Sequence, residues 1–358
     1  MSAAAKPTST PRDSANVDFV RSVAVLAVLS DHVLETLGTF HGFNATPLAW
    51  YLGRMGVLLF FVLTSLVLLI SLERSARSGR NSAIEFYLRR GFRIYPLSIV
   101  CVLIVVAFSV PSVSWDLVVK PVGVGRLLSN LALTMDLTWT KPVLSVLWSL
   151  PYELQMYLAL PAIFWFVDSE NPVRNALALF GLGIVAALVQ PGIIERLGMA
   201  QFAPCFMAGA FAYAIGRVLR PQLPFKVLPV ALFSLMGIYC LVAWAVGTVH
   251  PRWLGWTLCL AIGGLLPFVT EMQSPALRVV SRQIAKYSYG IYLFHMIALW
   301  VGFNLLRESS AWLQLGTVLL LLVALPVAGH HLIEKPGIDA GVRLAARLRT
   351  LRAERANA

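Results

Sequence analysis

The chain has 358 residues, 58% of them hydrophobic and only 13% charged, with a mean hydropathy of +0.75. Soluble domains carry about 25% charged residues, so this composition excludes a large water-soluble domain and marks a membrane protein. The 29 Lys and Arg outweigh the 17 Asp and Glu by +12, but they are spread over several loops rather than gathered in one patch, which argues against nucleic-acid binding.

Residues 1–16, rich in Ala, Ser, Thr and Pro, read as a disordered cytoplasmic tail. No cleaved signal is expected, because the first apolar run is long, carries charge in its middle and lacks a small-residue cleavage site. Apolar runs of about 17–25 residues, the length needed to cross ~30 Å of hydrocarbon, then recur along the chain. They fall near 20–38, 55–72, 94–110, 147–166, 175–190, 201–216, 228–246, 253–270, 287–305 and 313–333. Runs this continuous are helices rather than barrel strands. The expected fold is all-α: a polytopic transmembrane helix bundle of about ten spans, occupying residues 17–336, with a basic cytoplasmic tail at 337–358.

Placing both termini in the cytoplasm leaves only Arg54, Lys120, Arg126, Lys141, Arg196, Arg252 and Arg307 on the far side. That bias is what the positive-inside rule demands, and it accounts for the net charge. Cys101, Cys205, Cys240 and Cys259 all lie in apolar runs without ligand-like spacing. They read as core packing rather than disulfides or metal ligands, and no metal site is expected.

The chemistry sits in short polar interruptions. In the first run, Arg21 and His32 are eleven residues apart. At about 100° and ~1.5 Å per residue, that puts them on one helical face about 16 Å apart. Asp18 lies one turn before Arg21, and Asp31 and Glu35 flank His32. Ionisable groups at membrane depth usually face a bundle interior or a wet cavity, so this stripe suggests an active centre. Arg90 and Arg93 are i, i+3 neighbours where the chain re-enters the membrane. Two such guanidinium forks suit phosphate or pyrophosphate, with membrane-side anchoring as the plainer alternative. The fourth run opens Trp148-Ser149-Leu150-Pro151-Tyr152-Glu153, followed by Gln155 and Tyr157. A carboxylate inside an apolar helix needs either a structural partner or a functional cavity. Tyr287, Tyr289, Tyr292 and His295 open the ninth run; tyrosines there also suit an interfacial aromatic belt. His330, His331, Glu334 and Lys335 close the tenth run and read as an interfacial network rather than catalytic groups.

Taken in order, these pieces resemble the membrane acyltransferase 3 family. They are Arg21 with His32, Phe60-Phe61-Val62-Leu63-Thr64-Ser65, Arg90 and Arg93 with Ile94-Tyr95-Pro96, and Trp148-Ser149-Leu150 with Glu153 and Tyr157. The order continues through Ser288-Tyr289-Gly290-Ile291-Tyr292-Leu293 with His295 and ends at Ile333-Glu334-Lys335-Pro336. They span roughly residues 16–336. In the second run the family usually has Ser-Gly-Phe where this chain has Thr64-Ser65-Leu66, so a close-packing point is missing there. The extracytoplasmic hydrolase-like domain that some members carry is not expected.

The resemblance implies a multi-pass inner-membrane enzyme. Such an enzyme takes an acyl group, usually acetyl from acetyl-CoA, and places it on a hydroxyl of a carbohydrate or lipid-linked glycan. Acyl-CoA is then a co-substrate, and no permanently bound cofactor is implied. On this reading His32, Glu35 and Glu153 are the catalytic candidates and Arg21, Arg90 and Arg93 hold the donor. Trp148, Tyr292 and His295 face the acceptor, and membrane lipids are the remaining partners. The competing class is a transporter or flippase for a lipid-linked sugar, which intramembrane charge would also suit. Against it stands the lack of visible repeat symmetry and of paired Gly/Pro-broken helices.

Overall fold

A computed structural model describes residues 14–42, 46–78, 83–113, 121–193, 198–248 and 251–357. Of the basic residues used for orientation, Lys6, Arg12, Arg80, Lys120 and Arg196 lie outside the described residues, as does nearly all of the 1–16 tail.

The described chain is helical, with one isolated bridge between Leu223 and Val269. Its α-helices are α1 (Ala15–His41), α2 (Thr46–Arg77), α3 (Ala83–Ala107), α4 (Val124–Ala132), α5 (Met135–Thr138), α6 (Leu150–Val167) and α7 (Pro172–Ile193). They continue with α8 (Ala203–Val218), α9 (Val227–Val246), α10 (Arg252–Leu265), α11 (Pro275–Leu299), α12 (Ala311–Gly329) and α13 (Lys335–Asn357). Every expected apolar run falls on a helix. Seven helical stretches are long and apolar enough to cross a membrane, and α10 with its 3-10 extension forms a shorter apolar one.

Helix boundaries follow local chemistry. Ser14 caps α1 by accepting the Val17 N–H, and its hydroxyl donates to Glu271 at 2.6 Å while the Ala15 N–H donates to the same carboxylate at 2.9 Å. A carboxylate against the first-turn N–H groups also complements the helix dipole. The loop before α11 therefore ties down the start of α1. The fourth run divides: Ser145–Ser149 form a 3-10 turn and the α-helix begins at Leu150, with Pro151 in its first turn, where a missing N–H costs nothing. Trp148 and Ser149 thus lie on the turn, not in the span.

Lipid offers no hydrophobic drive between helices, so close approach through small residues decides the packing. A Cβ on Gly56 would come 2.5 Å from the Ala24 carbonyl of α1, and one on Gly290 would meet the Pro326 backbone of α12 at 2.9 Å. On α8, a Cβ at Gly209 would run into the Val62 carbonyl and Ser65 of α2. The close-packing point missing from Thr64-Ser65-Leu66 is thus supplied from across the interface. With these contacts α1, α2, α8 and α11 form the centre of the bundle.

Candidate active site

Between α1, α2, α3, α6 and α11 lies a cavity of about 370 Å³. One end carries Arg74 of α2 and Arg89, Arg90 and Arg93 of α3. Asp18 and Arg21 of α1, Thr64 of α2, and Glu153 and Tyr157 of α6 line its middle, and Phe60, Ser149 and Tyr292 close the other end. Along α2 the lining runs from Arg74 back to Val57, about 25 Å at ~1.5 Å per residue. A narrow channel of that depth accepts an extended molecule whose anionic end stays at the guanidinium cluster.

Three expectations meet here: Arg21, Arg90 and Arg93 share one cavity although they come from two helices. Glu153 joins them, so its carboxylate faces the arginines rather than a separate compartment. It accepts the Tyr157 hydroxyl at 2.5 Å and the Thr64 hydroxyl at 3.3 Å. Arg93 is shared: its guanidinium also pairs with Glu334 at 3.6 Å, and Glu334, 1% exposed, takes His330 at 2.9 Å. Of the closing group, His330 and Glu334 thus join Arg93 in a buried network rather than an interfacial one with Lys335, and the π-helical turn His330–Glu334 carries its carboxylate inward toward α3.

His32 does not line this cavity. It sits just beyond the closed end, where its ring stacks on His295 of α11 at 5.2 Å between centroids and 27° between planes. Tyr292, one turn before His295, is the link: its ring lies 6.3 Å from Phe60 on one side and 6.3 Å from His295 on the other. The Tyr292 hydroxyl bonds Ser149 at 2.7 Å and donates to the Val146 carbonyl. The 3-10 turn thereby holds the partition in place. Arg21 points into the cavity and His32 stacks on α11, both from one side of α1.

The two imidazoles are fixed by different partners. His32 Nδ1 lies 3.1 Å from Glu35 Oε2, and Glu35 also accepts the Trp50 indole N–H. A carboxylate with two donors takes the Nδ1–H of His32 and leaves Nε2 as the basic atom of its neutral form. His295 is 1% exposed, and its Nδ1 lies 2.9 Å from the Ile291 carbonyl. A carbonyl only accepts, so Nδ1 carries the proton. Nε2, which has no hydrogen-bond partner among the described residues, offers a lone pair. Asp31, His32 and Glu35 each place a ligating atom within 4.8 Å of the others and could hold a cation. Asp31 is accommodated because Gly53 of α2 lacks a Cβ that would otherwise strike it.

Trp148 lies outside the cavity, among rings from two other segments. The Arg54 guanidinium sits 5.1 Å over Trp148 and 4.7 Å over Phe202, and Tyr152 leans on Phe202 at 5.0 Å. No local pattern in the chain signals this cation–π shelf, because its members are nearly 150 residues apart. The same holds for Arg74, Arg89 and Thr64, which periodicity marks only as parts of long helices.

No curated protein and no solved structure matches the sequence. A family model described as an acyltransferase domain matches residues 14–330, the stretch that supplies Arg21, His32, Arg90, Arg93, Glu153, Tyr292 and His295. The chain belongs to the membrane acyltransferase 3 family.

Proposed function

We propose that this protein transfers an acyl group, acetyl being the smallest case, from acyl-CoA to a hydroxyl of a carbohydrate or lipid-linked glycan in the cell inner membrane. In this reading ten helices, α1–α3 and α6–α12, cross the bilayer, both termini are cytoplasmic, and the arginine end of the cavity opens to the cytoplasm. One observation carries the proposal: a deep cavity with four arginines at its mouth ends one aromatic ring short of a stacked histidine pair. The nucleotide phosphates of the donor stay at Arg74, Arg89, Arg90 and Arg93, and the pantetheine arm runs past Arg21 and Glu153 to Tyr292. Its thioester reaches the histidines beside that ring.

The chemistry then needs a base and a held acceptor. His32 Nε2 takes the proton of the acceptor hydroxyl as its oxygen attacks the thioester carbonyl. The tetrahedral adduct collapses with cleavage of the C–S bond, and the imidazolium returns its proton to the departing thiolate. Glu35 keeps the imidazole in the required tautomer and orientation and steadies its charged form. Nε2 of His295, an acceptor in its neutral form, holds a neighbouring hydroxyl of the same sugar, which favours a polyhydroxylated acceptor over a simple alcohol. Glu153 orients the donor arm through the Tyr157 and Thr64 hydroxyls that it already engages.

Vesicles of known orientation provide the test. With acyl-CoA supplied only on the face bearing the termini, product is expected on an acceptor confined to the opposite face. Product restricted to the donor's own face rules this arrangement out.

A further inference from the structure

The C-terminal helix α13 lies beyond the matched family residues, yet it is built into the mouth of the cavity. It packs antiparallel to α3 through two glycines one turn apart. A Cβ on Gly337 would come 2.8 Å from the Phe92 carbonyl and 2.9 Å from Pro96, and one on Gly341 would come 2.7 Å from the Phe92 ring stem. Ion pairs fasten both ends of the contact: Arg93 with Glu334 at 3.6 Å just before α13, and Arg349 with Glu85 at 3.6 Å near its far end. This seating turns Ile338 and Val342, also one turn apart, toward the cavity beside Arg89, Arg90 and Arg93. A merely solvated basic tail would need neither the paired glycines nor two aliphatic side chains aimed at a charged opening.

We propose that α13 is the outer wall of the donor site, with Ile338 and Val342 holding the adenine of coenzyme A while the arginines hold its phosphates. The chemistry is complementary: a nucleotide presents the flat faces of its base next to multiply charged phosphates, and the mouth presents an aliphatic pair next to guanidiniums. This rests on the reading of the cavity as a donor site.

The test is coenzyme A binding by calorimetry to the full-length, detergent-solubilised protein. Ile338→Ser with Val342→Ser is expected to weaken binding about five- to twentyfold, the scale of losing one or two aliphatic contacts. The same loss is expected with adenosine bisphosphate as probe. Ile338→Leu with Val342→Ile is expected to bind as wild type, which a general loss of structure would not allow. Val342 is 51% exposed, so Val342→Ser alone keeps the fold and is expected to show part of the effect. Arg90→Ala is the control for the underlying reading. If it binds coenzyme A as wild type does, the donor assignment and the α13 proposal fall together. If it loses affinity while the Ile338/Val342 serine pair does not, the α13 proposal alone is overturned. Weakened coenzyme A binding with unchanged bisphosphate binding overturns the placement of the adenine.

Discussion

The two ends of the site solve opposite problems. The arginine end is wide, assembled from α2, α3 and the flanking α13, and rich in charge that is partly solvated: the Arg93 side chain is 39% exposed. The histidine end lies beyond Tyr292 between α1 and α11, and each imidazole has a single defined proton position set by Glu35 or by a backbone carbonyl. Holding phosphates needs several strong donors near water, where the charges cost little to keep. Moving a proton needs one base held in fixed geometry. In the proposed reaction a single acyl-CoA would span both ends, and Tyr292 marks the boundary between them.

The sharpest way to break this comparison is His32→Ala. Loss of a positioned base costs about 10²–10⁴ in rate, so acyl transfer should vanish from routine assays while coenzyme A affinity stays at the wild-type value. Near-normal product from a well-folded variant would remove the histidine end from the chemistry. Glu35→Gln should act in the same direction but more weakly. Supporting groups of this kind are worth roughly 10–100-fold, here expected in kcat with the donor KM unchanged. At the other end, Arg90→Ala should raise the donor KM about tenfold or more, one charged bidentate contact being worth ~1.5–3 kcal/mol. Arg90→Lys should recover only part of it, since an ammonium lacks the fork.

Arg93 should behave differently from Arg90, which sharpens the contrast within the arginine end. Arg93→Ala leaves the buried Glu334 without one of its partners, so a lower melting temperature should accompany the KM effect. Adding Glu334→Gln should restore the melting temperature and leave the KM raised. The smallest effect on chemistry is expected at Gly209→Val, remote from both ends. It forces α8 away from the Val62 carbonyl and Ser65, and overpacking of this kind costs about 1–3 kcal/mol. Thermal unfolding should show the cost, with kinetic constants of the surviving protein close to wild type.

Much of this molecule is legible in its amino-acid order. Ten apolar runs are long enough for helices, and a helix's fixed geometry places Arg21 and His32 on one face and lets Glu35 reach His32 from one turn away. Arg90 and Arg93 are neighbours for the same reason. These are consequences of one helix at a time, with spacing known to within a fraction of a turn. The boundary of the fourth run is blurred in the sequence because a 3-10 turn and the start of an α-helix carry the same apolar composition.

Tertiary structure alone decided which helices meet. Glu153 joining Arg21 and the α3 arginines, His295 stacking on His32, Tyr292 standing between them and Arg54 lying across Trp148 all depend on helix pairing and rotation. In lipid those are governed by small residues and local polar contacts, such as Gly209 filling the role absent from Thr64-Ser65-Leu66. An apolar helix turned by a quarter presents the same hydropathy to the membrane, so its sequence is nearly silent about the direction its few polar side chains point. For that reason the ionisable stripe of α1 can be read from the chain, while the partition at Tyr292 and the place of Ile338 and Val342 in the cavity lining emerge only from packing.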